Sequence, residues 1–538
     1  MNQSDTFFEP TEVYNRFISI TQVPHPSANQ EGVTGNEDPV REYVISQAQE
    51  IPGVKVVFYD KGATLPGNRV IVLSRPGSGK YAGKTPVILQ AHMDMVYNPV
   101  DMAFPLNVIV DPYRQGQGKW IKARENSDPP RDSTLGADDG LGVATALAIL
   151  VDDNLKEYPL ECLFTVQEET DMGGAQNFDL KYLTGKQLLN LDAEDLPIII
   201  FGSAGGSTTQ YQKKDLSRIL TPQGYTTMKL SISGLRGGHS GVDINKGRLN
   251  AIKVLAQVLA RLNKRITALD IVGAGIGSYD LLVYDIQRCD VKKSNAIPAY
   301  AEAVIGLPGE KVDQFTADFN ALCAAIKIQN LPEESGLTCQ AATIDASVQP
   351  LDEKSTDTLL CMLQQVPHGV ISMIPEVPGV VETSTNLYGI TIDGSTVTIG
   401  SSNRSSREAS LTALNNIQAN IGTIFQFDVT TGIDSYPSWQ PNPESRLLQI
   451  ATGVYSDPQM YGDRCDATVI HAGLECGTIK ARYDTGLGID IDCISIGPTI
   501  KDPHSPNESL QVQAVDGTET VQKFYTAISQ ILGKIFNE

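Results

Sequence analysis

Short apolar runs with a helical segment between them recur through roughly the first 200 residues of the chain. Val87–Leu89, Leu160–Val166 and Gln187–Leu191 are typical of buried strands, and Val143–Val151 is typical of a buried helix. Polar residues repeatedly follow the ends of these strands. Strands that alternate with helices and end in polar residues predict an α/β domain with a site beyond the strand ends.

The hydrophobic pattern changes near Lys213. Tyr225–Ser233 alternates like a strand with one wet face, and Gly247–Leu262 has the spacing of an amphipathic helix. Further on, Asp393-Gly394 between two strand-like runs predicts a type I′ hairpin. These features predict a second, α+β domain inserted into the first. The predicted segments are 1–212 for the first part of the α/β domain, 213–407 for the insertion and 408–538 for the second part.

Two segments complete this outline. Residues 98–133 are rich in Pro, Asp, Arg and Gly and predict an exposed excursion. A helical pattern over Gln513–Ile535 predicts the last helix of the chain.

Composition narrows the classes of protein to consider. The 538 residues are 41% hydrophobic and 20% charged, which is ordinary for globular domains, and the net charge of -21 disfavours nucleic acid and anionic membrane as partners. No apolar run reaches the roughly 18 residues of a membrane span, and the acidic start of the chain does not resemble a signal peptide. The eight cysteines contain no C-x-x-C pair. We therefore expect a cytoplasmic protein with free thiols.

The first candidate for chemistry is the end of the run VILQAHMDMV. His92 and Asp94 are two residues apart, so on a strand they would point to the same face. Taken alone, the pair is explained equally well as two polar residues that cap a strand. Other candidates occur in short polar motifs elsewhere in the chain, and four of the six histidines lie in such motifs. The candidates with side chains suited to a metal are His92, Asp138, Glu168, Glu169, Asp192 and His504.

A hydrolytic site with two metal ions needs this kind of set. Each ion takes about three protein ligands, one carboxylate bridges the ions at about 3.5–4 Å, and a further carboxylate moves protons. Simpler explanations exist for individual members. Asp192 could cap a helix, Glu168 and Glu169 could form a solvated strand end, and His504 could be a loop residue.

Taken together, the motifs resemble the aminoacyl-histidine dipeptidases, also called Xaa-His dipeptidases or bacterial carnosinases. These enzymes belong to a di-zinc superfamily with the aminoacylases and the glutamate-type carboxypeptidases. The resemblance implies a three-layer catalytic α/β domain with a mixed sheet, an inserted α+β lid and dimerisation domain, and a homodimer. The matching runs, which occur in the family's order along nearly the whole chain, are AHMDMV, TLGADDGLG, VQEETDMGGA, LLNLDAED, GLRGGHSG, GRLNA, VETSTNL, NRSS, IHAGLECG and SIGPTIKDPHSPNESL.

The resemblance also implies two Zn²⁺ ions per subunit, with Mn²⁺ or Co²⁺ as alternatives. Asp138 would bridge the ions, and the peptide bond between Asp138 and Asp139 would be cis. The implied ligands are His92, Asp138 and Asp192 for one ion, and Asp138, Glu169 and His504 for the other.

The catalytic roles follow from the same resemblance. Glu168 would be the general base, and Asp94 would accept the imidazole N–H of His92 and fix its tautomer. His239, in Gly-Gly-His-Ser-Gly, would donate to the oxyanion in the partner subunit's site, although a structural role within the inserted domain is the alternative.

Substrate-binding residues are implied as well. Arg404 and Asn250 would bind the substrate, and an arginine suits a terminal carboxylate because its fork pairs with both oxygens. Arg404 fits the Arg-Ser-Ser motif better than Arg407 does. Gly473 would add backbone donors from a loop.

The resulting expectation is a metallopeptidase that cleaves dipeptides of the Xaa-His type through a hydroxide between two zinc ions. An aminoacylase or another amidohydrolase on the same metal frame is the first alternative, and a non-catalytic binding protein is the second. The chain departs from the family at Gln167, where an Asp is usual, and at Asp139, where an Asn is frequent. Neither position is an implied ligand.

Overall fold

The computed structural model describes residues 7–28, 30, 32–33, 35–266, 277–288, 294–346, 348–375 and 377–537. The chain forms two compact units. The first comprises Met1–Ser203, Trp439–Val469 and Leu474–Glu538, and the second comprises Ala204–Ser438 and Ile470–Gly473.

Helices occur in both units. Short 3₁₀ turns lie at Gly79–Tyr81, Leu180–Tyr182, Gly309–Lys311 and Gly462–Arg464. The α-helices of the described residues are α1 (Thr11–Ile20), α2 (Asp38–Glu50), α3 (Pro66–Arg69), α4 (Ala137–Val151), α5 (Glu168–Asp171), α6 (Gly173–Asn177), α7 (Ala251–Leu262), α8 (Val312–Gln329), α9 (Glu353–Gln365), α10 (Glu408–Ile424), α11 (Arg446–Tyr455), α12 (Glu475–Leu487) and α13 (Thr520–Asn537).

The strands range from two-residue pairs to the long hairpin of the second unit. In chain order they are β1 (Lys55–Phe58), β2 (Ile71–Arg75), β3 (Val87–His92), β4 (Leu106–Val110), β5 (Lys119–Glu125), β6 (Asp132–Ser133), β7 (Leu160–Thr165), β8 (Gln187–Asn190), β9 (Ile198–Ser203), β10 (Gly205–Lys213), β11 (Tyr225–Ser233), β12 (Gly238–His239), β13 (Leu282–Arg288), β14 (Ala296–Ile297), β15 (Ala301–Pro308), β16 (Thr338–Thr343), β17 (Gly369–Met373), β18 (Val381–Asp393), β19 (Thr396–Ser405), β20 (Asp428–Tyr436), β21 (Asp466–Ile470), β22 (Asp492–Ser495), β23 (Ile500–Lys501) and β24 (Ser509–Gln513).

The main sheet of the first unit is mixed, in the order β1-β2-β7-β3-β8-β22-β9-β21. β3 is parallel to both β7 and β8, and β22 is parallel to β8, whereas β1, β2 and β7 pair antiparallel. All six residues of β3 and all six of β7 are buried, which explains their nearly continuous apolar runs. The carboxyl ends of β3, β7 and β8 therefore lie side by side. This arrangement confirms the predicted α/β class with a mixed sheet.

The excursion predicted at 98–133 is wrong for much of its length. β4, β5 and β6 join β23 and β24 in a second sheet of the first unit, and Trp120, Ile121 and Ala123 are buried there. The polar composition was misleading because the charges are paired. Lys122, which is 0% exposed, donates to Asp132 at 2.8 Å, so a charged residue occupies a buried strand position.

The second unit contains a five-stranded sheet, β17-β18-β19-β10-β20, and a four-stranded sheet, β13-β15-β11-β16. Asp393 pairs with Thr396, so the loop of the β18–β19 hairpin is Gly394-Ser395. Of these two residues only Gly394 has a positive φ, +58°. The predicted hairpin is therefore present, but its turn is not type I′, which requires positive φ at both loop positions.

The second unit is wider than the predicted insertion at 213–407. β10 begins before residue 213 and ends at it, and β20 follows residue 407, yet the two strands pair with each other and belong to one sheet. The start of the last helix also differs, because β24 ends at Gln513, a turn follows and α13 begins only at Thr520.

Two further expectations concern whole-chain properties. Within the described ranges, no helix has the length and apolar character to cross a membrane. The seven cysteines that the structure describes are free, and Cys289 lies outside the described residues.

Candidate metal centre and substrate-binding residues

His92 ends β3 and is 1% exposed. Its Nδ1 lies 2.9 Å from the backbone carbonyl oxygen of Asp94, so this nitrogen donates and Nε2 is left as a ligand atom. The Asp94 carboxylate, which the resemblance implied as the acceptor, is 3.7 Å from Nδ1. The tautomer is therefore fixed by a carbonyl group instead, since the chain leaves the strand directly after His92.

The Asp94 carboxylate holds a different part of the site. It accepts from the Ser27 hydroxyl at 2.7 Å and from the backbone N–H groups of Glu168 and Glu169 at 3.2 and 3.4 Å. These two glutamates follow Gln167, whose φ of +62° reverses the chain after β7. Asp94 thus fixes the turn that carries two of the candidate residues.

Asp138 lies between two imidazoles. Its Oδ1 is 3.0 Å from Nε2 of His92, and its Oδ2 is 3.0 Å from Nε2 of His504. The preceding Gly136 has a φ of +72°, which turns the loop into α4, and the Asp138–Asp139 peptide is cis, as the resemblance predicted. Each oxygen of one carboxylate therefore faces a different histidine, as a bridging ligand requires.

The remaining candidate ligands complete two groups around Asp138. Asp192 Oδ1 is 3.3 Å from Nε2 of His92, and Glu169 Oε2 is 2.8 Å from Nε2 of His504. Asp139 also lies within coordination range of His92 and Asp192. Its oxygens, however, accept from the backbone N–H groups of His92, at 3.3 Å, and of Gly142, at 3.1 Å. The structure thus brings Asp138 together with His92 and Asp192 on one side and with Glu169 and His504 on the other.

These groups are charges paired at close range, and all of them are buried except His504, whose side chain is 48% exposed. Burial opposes charging of His92, but Asp192 and Asp138 outweigh it and raise the pKa of His92 well above its ordinary value. Partial burial opposes charging of His504, but Glu169 and Asp138 outweigh it and raise the pKa of that histidine. Burial raises the pKa of Asp192 to about 7, although His92 acts in the opposite direction. Asp138 contacts both imidazoles, and they hold its pKa below the ordinary value against the effect of burial.

The donor set fits a pair of divalent cations. Five carboxyl groups surround two imidazoles, and among the described residues no lysine or arginine forms an ion pair with any of the five. Burial raises the pKa of Glu194 to about 8 and raises that of Glu168 well above its ordinary value. The Oε1 atom of Glu169 is buried without a hydrogen-bond partner. Such an excess of buried carboxylates is stable when cations compensate it. The five carboxyl groups are Asp138, Glu168, Glu169, Asp192 and Glu194.

Glu508 holds the loop before α4, and sequence reasoning missed it. Its carboxylate is 0% exposed and accepts from four consecutive backbone N–H groups, those of Leu135, Gly136, Ala137 and Asp138, at 2.8, 3.0, 2.8 and 3.4 Å. Burial and Asp138 raise its pKa to about 7, and the N–H groups oppose this rise. The position of Glu508, four residues after His504 in the same motif, was the available signal.

Two predicted residues of the second unit have defined hydrogen bonds. His239 accepts the N–H of Gly241 at Nδ1, at 3.1 Å, which places its ring hydrogen on Nε2. Asn250 caps α7: its Oδ1 accepts from the N–H groups of Ile252 and Lys253, and its Nδ2 donates to the Leu387 carbonyl at 2.7 Å. Both ends of this buried amide are therefore engaged within the second unit.

Arg404 lies in a row of residues that are paired across four strands of the five-stranded sheet. Tyr436 pairs with Gly206, Gly206 with Arg404, and Arg404 with Ser384. The absent side chain of Gly206 leaves room for the Tyr436 ring, whose hydroxyl accepts from Arg404 Nη1 at 2.9 Å. On the other side, the Ser384 hydroxyl lies 2.7 Å from Nε2 of His471. Directly paired residues share one face of a sheet, so these groups converge.

The Arg404 guanidinium is suited to an anionic ligand. It is 8% exposed, its Nε has no hydrogen-bond partner, and within the described part of the chain no carboxylate lies within 4.0 Å of it. A buried cation without an acidic partner is costly unless a ligand supplies the charge. Gly473 belongs to the segment Ile470–Gly473 of the same unit and lies just before α12.

Comparison with known proteins places these observations in a family. Residues 230–330 match a family model described as a peptidase dimerisation domain of the M20 type. The chain is 32% identical to the cytosol non-specific dipeptidase of Escherichia coli over 531 residues, 98% of each protein. It is similar to the crystal structure of an aminoacylhistidine dipeptidase from Vibrio alginolyticus, with 29% identity, a TM-score of 0.78 and coverage of 99% and 98%. A tripeptidase from Staphylococcus aureus, at 13% identity, a TM-score of 0.54 and coverage of 99% and 100%, shares the fold.

Proposed function

The chain belongs to the M20 family of metallopeptidases, with the aminoacyl-histidine and cytosol non-specific dipeptidases, and we propose that it hydrolyses Xaa-His dipeptides at a centre of two zinc ions. The observation that carries this proposal is the position of Asp138, whose two carboxylate oxygens face two different imidazoles. The preference for Xaa-His substrates draws on the similarity to the aminoacylhistidine dipeptidase.

The metal ligands would divide between the ions as the sequence predicted. His92 and Asp192 would hold one ion, His504 and Glu169 the other, and Asp138 would bridge them. When bound, two Zn²⁺ ions supply Lewis acidity that lowers the pKa of water to about 7.

Glu168 is positioned to move the proton of the attacking water. Within the described residues no hydrogen bond engages its carboxyl group, while its backbone N–H is held by Asp94. Burial raises its pKa, and a raised pKa makes a carboxylate a stronger acceptor near neutral pH. Glu168 would take a proton from water and deliver it to the amine that leaves.

Substrate recognition would come from the second unit. Arg404 would pair with the terminal carboxylate of the dipeptide, since its guanidinium is buried and lacks an acidic partner among the described residues. His239 carries its hydrogen on Nε2, the tautomer that an oxyanion donor requires. Gly473 would contribute backbone donors from its loop.

We further propose a homodimer in the cytoplasm. The match of residues 230–330 to a peptidase dimerisation domain supports the dimer and a lid and dimerisation role for the second unit. The cytosolic relative supports the location. In this arrangement His239 would serve the site of the partner subunit.

The proposal is tested by Glu168→Ala. The purified variant should bind two zinc ions by elemental analysis and lose hydrolysis of alanyl-histidine, because the ligands remain and the proton carrier is gone. Unchanged turnover would refute the role of Glu168, and a wild-type protein without metal would refute the centre itself. A panel of Xaa-His dipeptides, other dipeptides and N-acyl amino acids measures the substrate class.

A further inference from the structure

Three buried polar residues lie beneath the ends of the strands that carry the metal ligands. Gln90 is two residues before His92 on β3, Asn190 is two residues before Asp192 at the end of β8, and Thr165 ends β7. Gln90, Asn190 and Thr165 are each 0% exposed. Polar side chains at such positions are uncommon in the centre of a buried sheet, where apolar residues dominate.

Glu475 joins these three residues. It is the first residue of α12, it is 0% exposed, and its Oε2 accepts from Gln90 Nε2 and from Thr165 Oγ1, both at 2.6 Å. Gln90 extends the connection, because its Oε1 accepts from Asn190 Nδ2 at 2.7 Å. One carboxyl group is therefore hydrogen-bonded, directly or through one amide, to all three strands.

The energetic cost of this carboxyl group indicates a role beyond packing. Its Oε1 is buried without a hydrogen-bond partner, and among the residues that the structure describes no lysine, arginine or histidine forms an ion pair with it. Burial raises the pKa of Glu475 to about 8. An apolar side chain would fill the same space without this penalty.

We propose that Glu475 is a positioning residue for the metal centre, which it serves by locking the ends of β3, β7 and β8 through Gln90, Thr165 and Asn190. The inference rests on the metal centre of the proposed function. Small errors in the position of a ligand weaken a metal site, and residues that orient ligands commonly change metal affinity by about 10–100-fold. Because the network reaches the segments of His92, Glu169 and Asp192, its loss should affect both ions.

The test is the affinity of the full-length protein for zinc, measured by competition with a chromophoric chelator. Glu475→Ala should weaken zinc binding by about 10–100-fold. Glu475→Gln should stay within a few-fold of the wild type, since the amide oxygen can accept from Gln90 and Thr165 while its NH₂ takes the place of the unpartnered Oε1. Rescue by this conservative variant separates positioning from a general loss of packing.

Glu161 offers a matched control. It is also a buried carboxylate of the main sheet, but it lies near the opposite end of β7 and accepts from the N–H groups of Thr184 and Gly185, both at 3.0 Å. Glu161→Ala should reduce stability and leave zinc affinity unchanged. An equal loss of zinc affinity in the two alanine variants would overturn the inference.

The remaining outcomes are also decisive. A Glu475→Ala protein that binds zinc as the wild type does would overturn the inference while leaving the proposed function intact. If that variant does not fold, Thr165→Val removes one donor at nearly constant volume. It should weaken zinc binding several-fold, and an unchanged affinity would count against the inference. A zinc-free wild-type protein would instead overturn the proposed function on which the inference depends.

Discussion

A single substitution can test whether the Glu508 carboxylate holds the loop before α4. Glu508→Gln preserves size and shape but replaces one acceptor oxygen with an NH₂ group, which can only donate. In either orientation of the amide, two of the four N–H groups between Leu135 and Asp138 face a donor instead of an acceptor.

The expected loss of stability follows from the number and length of these bonds. Above its pKa of about 7 the Glu508 carboxyl is charged. A hydrogen bond to a charged group contributes about 1.5–3 kcal/mol, so at such a pH losing two of them gives about 3–6 kcal/mol. The amide can turn so that its NH₂ faces the pair that includes the 3.4 Å bond to Asp138, which is the weakest of the four. We therefore expect Glu508→Gln to lower the free energy of unfolding of the first unit by about 3 kcal/mol.

The chain provides its own probe for this measurement. Both of its tryptophans, Trp120 and Trp439, are buried in the first unit, so intrinsic fluorescence during denaturant unfolding reports that unit. The experiment uses the metal-free full chain, so that metal binding does not contribute. Asp179→Asn is the control, because Asp179 is an exposed carboxylate that accepts one backbone N–H, that of Lys181 at 3.0 Å. It should lose less than about 1 kcal/mol. An unfolding midpoint of Glu508→Gln equal to that of the wild type would show that the four bonds do not hold the loop.

Three further predictions concern the second unit. Tyr436→Phe removes the hydroxyl that accepts from the buried Arg404 guanidinium and should raise KM for alanyl-histidine about five-fold at constant kcat. As a control, Tyr388→Phe removes the hydroxyl of a ring that covers another glycine of the same sheet, and this change should leave KM unchanged. Mixed dimers of His239→Ala and Glu168→Ala subunits should regain part of the activity that each parent lacks, and no recovery would argue against a site shared between subunits. Burial lowers the pKa of His368 from 6.5 to about 4, so the unfolded chain binds more protons between these values and stability falls as pH drops from 6.5 toward 4. Calorimetry of His368→Gln should show a weaker loss over this interval, and an unchanged pH dependence would contradict the neutral state of the half-buried ring.

Sequence reasoning could propose a candidate metal centre because the suitable side chains are concentrated at strand ends. The apolar run before His92 and the one before Asp192 could each be identified as a buried strand, and parallel neighbours bring their ends together. His504 follows no such run, and its assignment came from the family resemblance alone. In the structure it has a φ of +58° and faces Asp138.

The errors arose where a side chain had more than one compatible partner. Asn250 is as suitable for a helix N-cap as for a substrate, and the N-cap becomes visible only from the positions of α7 and β18. The strand that holds Lys122 was missed because composition does not reveal that Asp132 will neutralise it. Glu508 was not recognised as a support of the site for the same reason, since its partners are backbone N–H groups distant in sequence.

The sequence positions of the residues around the bridging carboxylate determine when each proposed metal site can form during translation. Asp138 and His504 are 366 positions apart, and the whole inserted unit emerges from the ribosome between them. A growing polypeptide can shape the pocket of His92 and Asp192 early, yet it has no imidazole for the second cation until the inserted unit has been synthesised. Peptide cleavage of the kind proposed would therefore begin only after His504 has been added to the chain.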